Sequence, residues 1–171
     1  RRNLISNIIN EIKTYGYDGI NIDFEKVPSD SAVDYRQFIR ELSIECRKAG
    51  VVFSLDNYVP RPYNAQYSRA VQAECADYVI VMGYDEHYAG GDEAGSVASI
   101  DFVTDGIDGT LKEVPKEKLI NALPFYTRLW MESQDENGNV KLSSKTYSMQ
   151  GALDIVAELG TGMEWDEDVA Q

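Results

Sequence analysis

Segments with strand-type and helix-type periodicity alternate along this chain, and that alternation limits its fold more than any other feature. Apolar residues at helical spacing run from Leu4 to Ile12 and stop near Gly16. Strict period-2 alternation follows at 19–25, which predicts a strand. The same patterns predict further strands at 51–56, 77–82 and 119–123, and helices at 33–50, 64–75, 97–112 and 148–159. Repeated strand–helix units of roughly 30 residues imply parallel strands joined by right-handed crossovers.

Two α/β architectures accommodate such units, a (β/α)₈ barrel and a doubly wound sheet. The barrel is favoured because Glu25, Asp56 and Asp85 sit at strand ends, and a barrel builds its active site from the C-terminal ends of its strands. Four predicted strands in 171 residues fall short of a whole barrel, which needs eight strands and about 250 residues. We therefore expect a portion of a barrel whose open sheet edges favour self-association.

Composition excludes several kinds of partner. The net charge of −13 and pI of about 4.4 argue against binding to nucleic-acid phosphates. No apolar run reaches the length of a membrane span. One histidine, two cysteines and no CxxC or HExxH motif argue against a metal site, and no cofactor is expected. The two cysteines, Cys46 and Cys75, lie in predicted helices, and free thiols are favoured over a disulfide.

The strand predicted at 19–25 carries an unusual polar face. Asn21, Asp23 and Glu25 alternate with apolar residues, so they share one side of the strand. Two neighbouring carboxylates do not both ionise easily, and one is pushed to keep its proton, as a general acid requires. The structural alternative is a carboxylate pair neutralised by Lys or Arg. Calcium binding is rejected because the segment lacks the glycine and the spacing of an EF-hand loop.

The placement of both carboxylates on one strand bears on mechanism. A retaining glycosidase of the common kind needs two carboxylates on opposite sides of the scissile bond. Asp23 and Glu25 cannot flank the bond in this way. This favours a reaction in which the substrate supplies its own nucleophile, such as a 2-acetamido oxygen.

Three segments of the chain match one known family. Asp18-x-x-Asn21-x-Asp23-x-Glu25 resembles the DxxDxDxE signature of family 18 glycoside hydrolases, the chitinase-like enzymes. Met82-Gly83-Tyr84-Asp85 and Leu123-Pro124-Phe125-Tyr126-x-Arg128 resemble the sixth-strand and seventh-strand segments of that family. The resemblance implies that residues 1–171 are a partial family 18 catalytic domain, the C-terminal portion of a (β/α)₈ TIM barrel from about strand four to the start of strand eight.

The resemblance also implies catalytic roles. Glu25 would protonate the glycosidic oxygen. Asp23 would orient the acetamido group and stabilise the oxazolinium intermediate of a retaining, substrate-assisted reaction. Tyr84 would hydrogen-bond the acetamido carbonyl oxygen.

Further residues are expected to bind the sugar. The resemblance implies that Asp85 contacts the sugar at the cleavage point and that Met82 packs beneath it. Tyr126 is expected either to stack on a sugar or to pack within its loop, and Arg128 either to bind a sugar hydroxyl or to pair with an acidic neighbour. Asn21, also expected at the substrate site, departs from the usual aspartate of the signature.

Asparagine at position 21 is similar to the catalytic strand of the branch related to spore-cortex lytic enzymes. The late segment 164–167 also resembles that branch. Those relatives cleave N-acetylglucosamine linkages in peptidoglycan, which implies a polysaccharide substrate and an extracellular or cell-envelope location. A chitinase, an endo-β-N-acetylglucosaminidase acting on N-glycans, and a non-catalytic sugar-binding relative remain as alternatives. The portion of a barrel in this chain is expected to be inactive by itself.

Overall fold

A computed structural model describes residues 1–134 and 136–170 of the chain. The expected domain ends at Gln171, which lies outside the described residues. The helices and strands are α1 (Arg2–Tyr15), β1 (Gly19–Ile22), α2 (Ala32–Ala49), β2 (Val52–Tyr58), α3 (Arg69–Cys75), β3 (Tyr78–Met82), α4 (Ile100–Leu111), β4 (Leu119–Ala122), β5 (Tyr126–Gln134), β6 (Val140–Ser148) and α5 (Met149–Leu159). The predicted alternation of strands and helices is confirmed from α1 through β4.

The first of two compact units comprises Arg1–Met82 and Gly106–Ala122. Its sheet has four strands in the order β1-β2-β3-β4, and each adjacent pair is parallel. Among the described strands of this sheet, chain order and sheet order coincide, whereas a doubly wound sheet reverses direction at a switch point. The parallel α/β sheet therefore fits a TIM-barrel type of fold.

The core of this unit lies between the sheet and its two long helices. Every third or fourth residue of α1 and α2 points inward, as the helical period requires. The buried side chains of this cluster include Ile5, Ile9, Ile12, Phe38, Ile39, Leu42, Cys46, Phe53 and Leu55. Both helices end at a glycine in the left-handed region, Gly16 at φ 68° and Gly50 at φ 70°, a conformation that costs glycine little.

The first strand is shorter than the sequence predicts. Ile22 is the last residue of β1 and pairs with Leu55, so Asp23 and Glu25 lie just beyond the strand. Beyond the strand, the ring of Phe24 stacks on Phe38 of α2 at 5.4 Å between centroids. The prediction that Asp23 and Glu25 belong to the strand itself was therefore wrong by a few residues.

The predicted helix at 64–75 is two elements. A 3₁₀ segment covers Pro62–Tyr67, and α3 starts at Arg69. Ser68 separates them with φ 54°, in the left-handed region that an α-helix cannot include. Apolar periodicity alone does not register such a break.

The second unit comprises Gly83–Asp105 and Leu123–Gln171. It contains a two-stranded antiparallel sheet in which β5 pairs with β6 from Tyr126↔Ser148 to Gln134↔Val140. The turn between the two strands contains Asn137-Gly138, a pair typical of hairpin turns, and Gly138 has φ 82°. The prediction of four strands was wrong, because the segments on either side of this turn form long strands rather than loops.

Both cysteines are free thiols, as predicted, and Cys46 is buried. Burial, followed by the charges of Asp77 and Glu45, raises the pKa of the Cys46 thiol to about 11. Along the described part of the chain, none of the helices combines the length and apolarity needed to cross a bilayer.

Candidate active site

The carboxyl ends of three parallel strands form one edge of the sheet in the first unit. β1, β2 and β3 end at Ile22, Tyr58 and Met82, and the register pairs Tyr58 with Met82. Asp23 and Glu25 follow β1 at this edge. This is the part of a parallel α/β fold where catalytic groups are expected.

A hydrogen-bonded polar row crosses from β1 to β2. The Asn21 amide nitrogen donates to Asp56 Oδ2 at 2.8 Å, and Asn21 Oδ1 accepts from Ser54 Oγ at 2.8 Å. The register explains this contact, because Asn21 lies directly opposite Ser54 and Asp56 is the next residue on the same face of β2. Asn21 is therefore a hydrogen-bond donor to a neighbouring carboxylate as well as a candidate substrate contact.

Asp56 sits in an environment that favours its protonated form. Its Oδ1 atom is buried and has no hydrogen-bond partner among the described residues. Burial raises the pKa of Asp56, the hydrogen bond from Asn21 lowers it, and the charge of Asp23 raises it. The net direction of the shift in the Asp56 pKa is upward.

Asp23 is shifted in the same direction. Burial is the larger cause and the neighbouring Glu25 carboxylate the second, and both raise the pKa of Asp23. A carboxyl group biased toward its protonated form is what the sequence pattern predicts for this segment. The structure shows the bias at Asp23.

Glu25 is exposed and lies beside an open pocket. The pocket has a volume of about 680 Å³, and its lining includes Asp23, Phe24, Glu25, Val27 and Phe38. Burial and the Glu25 carboxylate raise the pKa of Tyr58 to about 12, which keeps the phenol protonated and able to donate a hydrogen bond. Glu25 is therefore an accessible carboxyl group in the lining of a largely apolar pocket.

A second cluster, in the second unit, is centred on Asp85. The Tyr126 hydroxyl donates to Asp85 Oδ1 at 2.6 Å, and Arg128 Nη2 lies 3.3 Å from the same oxygen. Asp85 has φ 57°, which is uncommon for a residue with a Cβ, and the two donors fix its side chain. The ring of Tyr84 packs edge-on against Tyr126 at 6.4 Å.

The contacts of Arg128 and Tyr126 bear on the alternatives left open by the sequence. Arg128 pairs with an acidic neighbour, Asp85, and also reaches Ser144 and Thr146 of β6. The Tyr126 hydroxyl is engaged by Asp85, and burial followed by that hydrogen bond raises the pKa of Tyr126. Both residues therefore orient Asp85.

The structure brings the sequence-predicted site residues together in two groups, one in each unit. Asn21, Asp23 and Glu25 lie on and just after β1, and Met82 is the buried last residue of β3. Tyr84, Asp85, Tyr126 and Arg128 are the members of the group in the second unit.

The contribution of β2 to the polar row was missed by sequence reasoning. Ser54, Asp56 and Tyr58 alternate with buried residues on β2 and so share one face of the strand. The alternation is visible in the sequence, and pairing it with the alternation of β1 would have indicated the row. Among residues 1–134 and 136–170, no three His, Cys, Asp or Glu side chains are grouped to hold a metal ion.

The site geometry and the sequence agree with one family. The sequence profile of Glycosyl hydrolases family 18 matches residues 1–169. The chain belongs to glycosyl hydrolase family 18.

Two curated proteins are similar to this chain in amino-acid sequence. The Bacillus subtilis protein named "Putative sporulation-specific glycosylase YdhD" is 32% identical over 138 residues, which are 77% of this chain and 32% of YdhD. The cortical fragment-lytic enzyme of the same organism is 26% identical over 174 residues, which are 98% of this chain and 39% of that protein. The chain thus spans less than half the length of these two relatives.

Solved structures give the same result for the fold. The crystal structure of YdhD superposes with a TM-score of 0.86 at 25% identity, covering 98% of this chain and 56% of that one. A chitinase from Chromobacterium violaceum superposes with a TM-score of 0.83 at 22% identity, covering 96% of this chain and 51% of that one. The family 18 assignment and these superpositions support the TIM-barrel type of fold.

Proposed function

We propose that this family 18 chain carries the acid catalyst of a glycoside hydrolase that cleaves β-linked N-acetylglucosamine glycans, with retention of configuration and with assistance from the substrate. The observation that carries the proposal is the pair Asp23 and Glu25 just beyond β1, with Glu25 exposed beside a pocket and the pKa of Asp23 raised by burial and by Glu25. Such a reaction needs one carboxyl group that donates a proton and a second one that orients the acetamido group of the substrate.

The reaction follows from this division of roles. Glu25 gives its proton to the glycosidic oxygen as the bond from that oxygen to the anomeric carbon breaks. The acetamido carbonyl oxygen of the same sugar forms a bond to the anomeric carbon, and Asp23 stabilises the positive charge on the acetamido nitrogen. Water then attacks the anomeric carbon as the bond from that carbon to the acetamido oxygen breaks, and the water passes a proton to Glu25, which restores the acid. Two displacements at one carbon retain its configuration.

The polar row supports the use of a nucleophile from the substrate. Asp56 is the carboxylate nearest in register to β1, but it is half-buried and bonded to Asn21. A nucleophilic carboxylate must be ionised and must reach the opposite face of the sugar from the acid. The hydrogen bond from Asn21 and the partial burial of Asp56 argue against such a role for its carboxylate.

The proposal also gives the residues around Asp85 roles in substrate binding, because the segment 82–85 resembles a family 18 motif. Tyr84 would hydrogen-bond the acetamido carbonyl oxygen, and Asp85 would contact the sugar at the cleavage point through the oxygen that Tyr126 and Arg128 leave free. Met82 would pack beneath the sugar. The convergence of both donors on Asp85 Oδ1 supports a fixed orientation for this carboxylate.

Peptidoglycan is the substrate that we favour. Asn21 in place of the usual aspartate and the similarity to a cortical fragment-lytic enzyme support this choice, and they favour action outside the cell or in the cell envelope. The alternatives are chitin and N-glycans. Comparing the release of reducing ends from peptidoglycan, chitin oligomers and a high-mannose glycopeptide by the protein that contains this chain would separate them.

We further propose that the chain is the part of a barrel that runs from strand four to the start of strand eight. A sheet of four parallel strands and the 56% coverage of the YdhD crystal chain support this. Residues 1–171 expressed alone should then show no turnover and should self-associate through open sheet edges. Turnover equal to that of the longer protein, or a monomeric mass by light scattering, would contradict these expectations.

Glu25→Gln tests the central role. The amide preserves size and cannot donate a proton as an acid does, so kcat on an aryl N-acetylglucosamine oligomer should fall by about 10³-fold or more while the oligomer still binds. Glu41→Gln is a control, because Glu41 is a half-buried carboxylate on α2 that pairs with Arg1. Full activity of Glu25→Gln would reject this mechanism, and binding without turnover by the unmodified protein would favour a sugar-binding relative.

A further inference from the structure

One hydroxyl group, that of Tyr67, contacts the backbone on both sides of Glu25 in the turn after β1. Tyr67 Oη donates to the Phe24 carbonyl oxygen at 3.0 Å and accepts from the Val27 amide at 3.2 Å. These two backbone groups stand on either side of the dipeptide Glu25-Lys26. The single hydroxyl therefore closes the backbone of the turn around Glu25.

The same turn contains a strained residue. Lys26 has φ 54°, in the left-handed region, which is unfavourable for a residue with a Cβ. Such a conformation persists where the surrounding structure enforces it. The contacts that enforce it include the two bonds of Tyr67 and a third, in which Gln66 Nε2 donates to the Val27 carbonyl oxygen at 3.0 Å.

The Tyr67 ring is itself immobilised. It is 2% exposed, and it packs edge-on against Tyr35 at 5.6 Å and against Tyr58 at 6.0 Å. A hydroxyl on a fixed ring has a fixed position. A phenol buried in the core therefore hydrogen-bonds the backbone of an exposed turn.

We propose that Tyr67 is a positioning residue for Glu25: its hydroxyl holds the strained turn so that the Glu25 carboxyl group is placed for proton transfer to the leaving group. This inference rests on the proposed role of Glu25 as general acid. A misplacement of about 1 Å can cost up to about 10²-fold in rate, so the effect falls on kcat rather than on substrate binding.

Tyr67→Phe in the protein that contains this chain is the test, because it keeps the ring and removes only the hydroxyl. We expect kcat on a 4-methylumbelliferyl N-acetylglucosamine oligomer to fall about tenfold or more, with KM within about twofold. The defect should shrink with a 2,4-dinitrophenyl leaving group, which departs without protonation. Hydrogen exchange of the Val27 amide should become faster, since its acceptor is gone.

Ser43→Ala is the matched control. Ser43 Oγ donates to the Cys75 carbonyl oxygen at 2.7 Å, so this change also removes a buried hydroxyl bond in the same unit, away from the turn. It should leave kcat and the leaving-group dependence unchanged. If Tyr67→Phe does not fold, Gln66→Met removes the bond to Val27 alone and should show the same leaving-group dependence with a smaller loss.

The outcomes separate the two proposals. Wild-type kcat in Tyr67→Phe, an equal loss in Ser43→Ala, or a defect that is independent of the leaving group overturns the positioning role while Glu25→Gln remains inactive. Glu25→Gln as active as the wild type overturns the proposed function, and the positioning role with it. A selective, leaving-group-dependent loss in Tyr67→Phe supports both.

Discussion

The Asn21 amide nitrogen lies 2.8 Å from Asp56 Oδ2 and donates a hydrogen bond across the boundary between β1 and β2. An aspartate at this position would place a second carboxylate against Asp56, with Asp23 two residues further along. The amide replaces that repulsion with an attractive contact. With asparagine at position 21, the polar row therefore contains one carboxylate fewer than it would with aspartate there.

Asn21→Asp should destabilise the protein in a pH-dependent way. Repulsion between the new carboxylate and Asp56 raises the pKa of both in the folded state, so the folded state binds more protons than the unfolded state and stability falls as pH rises. We expect the free energy of unfolding to drop by about 1–3 kcal/mol near pH 7 and by less near pH 3. Urea unfolding at both pH values measures this. Asn21→Ala, which adds no charge, should show a weaker dependence, and an equal loss at both pH values would contradict the repulsion.

Asp23→Asn should lower the activity of the protein and raise its stability near pH 7. The folded-state pKa of Asp23 lies above its ordinary value of 3.8 because of burial and Glu25. Ionised Asp23 therefore opposes folding increasingly as pH rises above about 4, and its removal should help more near pH 7 than near pH 3. Thermal unfolding at the two pH values gives the sign, and kcat should fall by about 10²-fold or more. A variant that is less stable than the wild type near pH 7, but not near pH 3, would disprove this account.

Tyr126 should respond in opposite directions to its two charged neighbours. The carboxylate of Asp85 raises the pKa of the Tyr126 phenol and the guanidinium of Arg128 lowers it. Asp85→Asn should therefore lower that pKa, whereas Arg128→Met should raise it further. Following the ¹³Cζ resonance of labelled tyrosine during an alkaline titration measures both. Shifts of the same sign in the two variants would mean that a change of structure, not charge, is responsible.

Gly95 should not tolerate a side chain. A Cβ at this position would lie 2.6 Å from His87 Cε1 and 2.7 Å from both ring nitrogens. The Gly95 carbonyl also accepts a hydrogen bond from Trp130 Nε1 at 2.9 Å, so the backbone cannot retreat without loss. We expect Gly95→Ala to reduce the free energy of unfolding by about 1–3 kcal/mol.

The clash is tested by a double variant. His87→Ala removes the ring, so Gly95→Ala should cost much less in its presence, which a double-mutant cycle detects. Gly162→Ala serves as the control because no atom lies within 4 Å of the added Cβ. Additive effects of the changes at His87 and Gly95 would show that the ring is not the obstacle.

Local sequence was sufficient where the signal is local. The apolar residues of α1 and the glycine at position 16 lie within about four helical turns of one another, and they predict a helix that ends near Gly16. The structure confirms both the helix and its end. The segments 18–25 and 82–85 each resemble a motif of family 18, and the family assignment agrees with that resemblance. In each case the information lies within a few consecutive residues, where periodicity and backbone preference operate.

Contacts between distant segments were decided only by the tertiary structure. The bond from Asn21 to Asp56 depends on the register of two strands, and the contact of Tyr67 with the Phe24–Val27 turn joins residues about forty positions apart. The strands β5 and β6 were not predicted, because they are largely exposed and show weak alternation, so cross-strand hydrogen bonding defines them. The sequence determined which chemical groups this chain presents; the pairing of its strands determined which of them are charged, bonded and held in place, because those properties depend on neighbours in space.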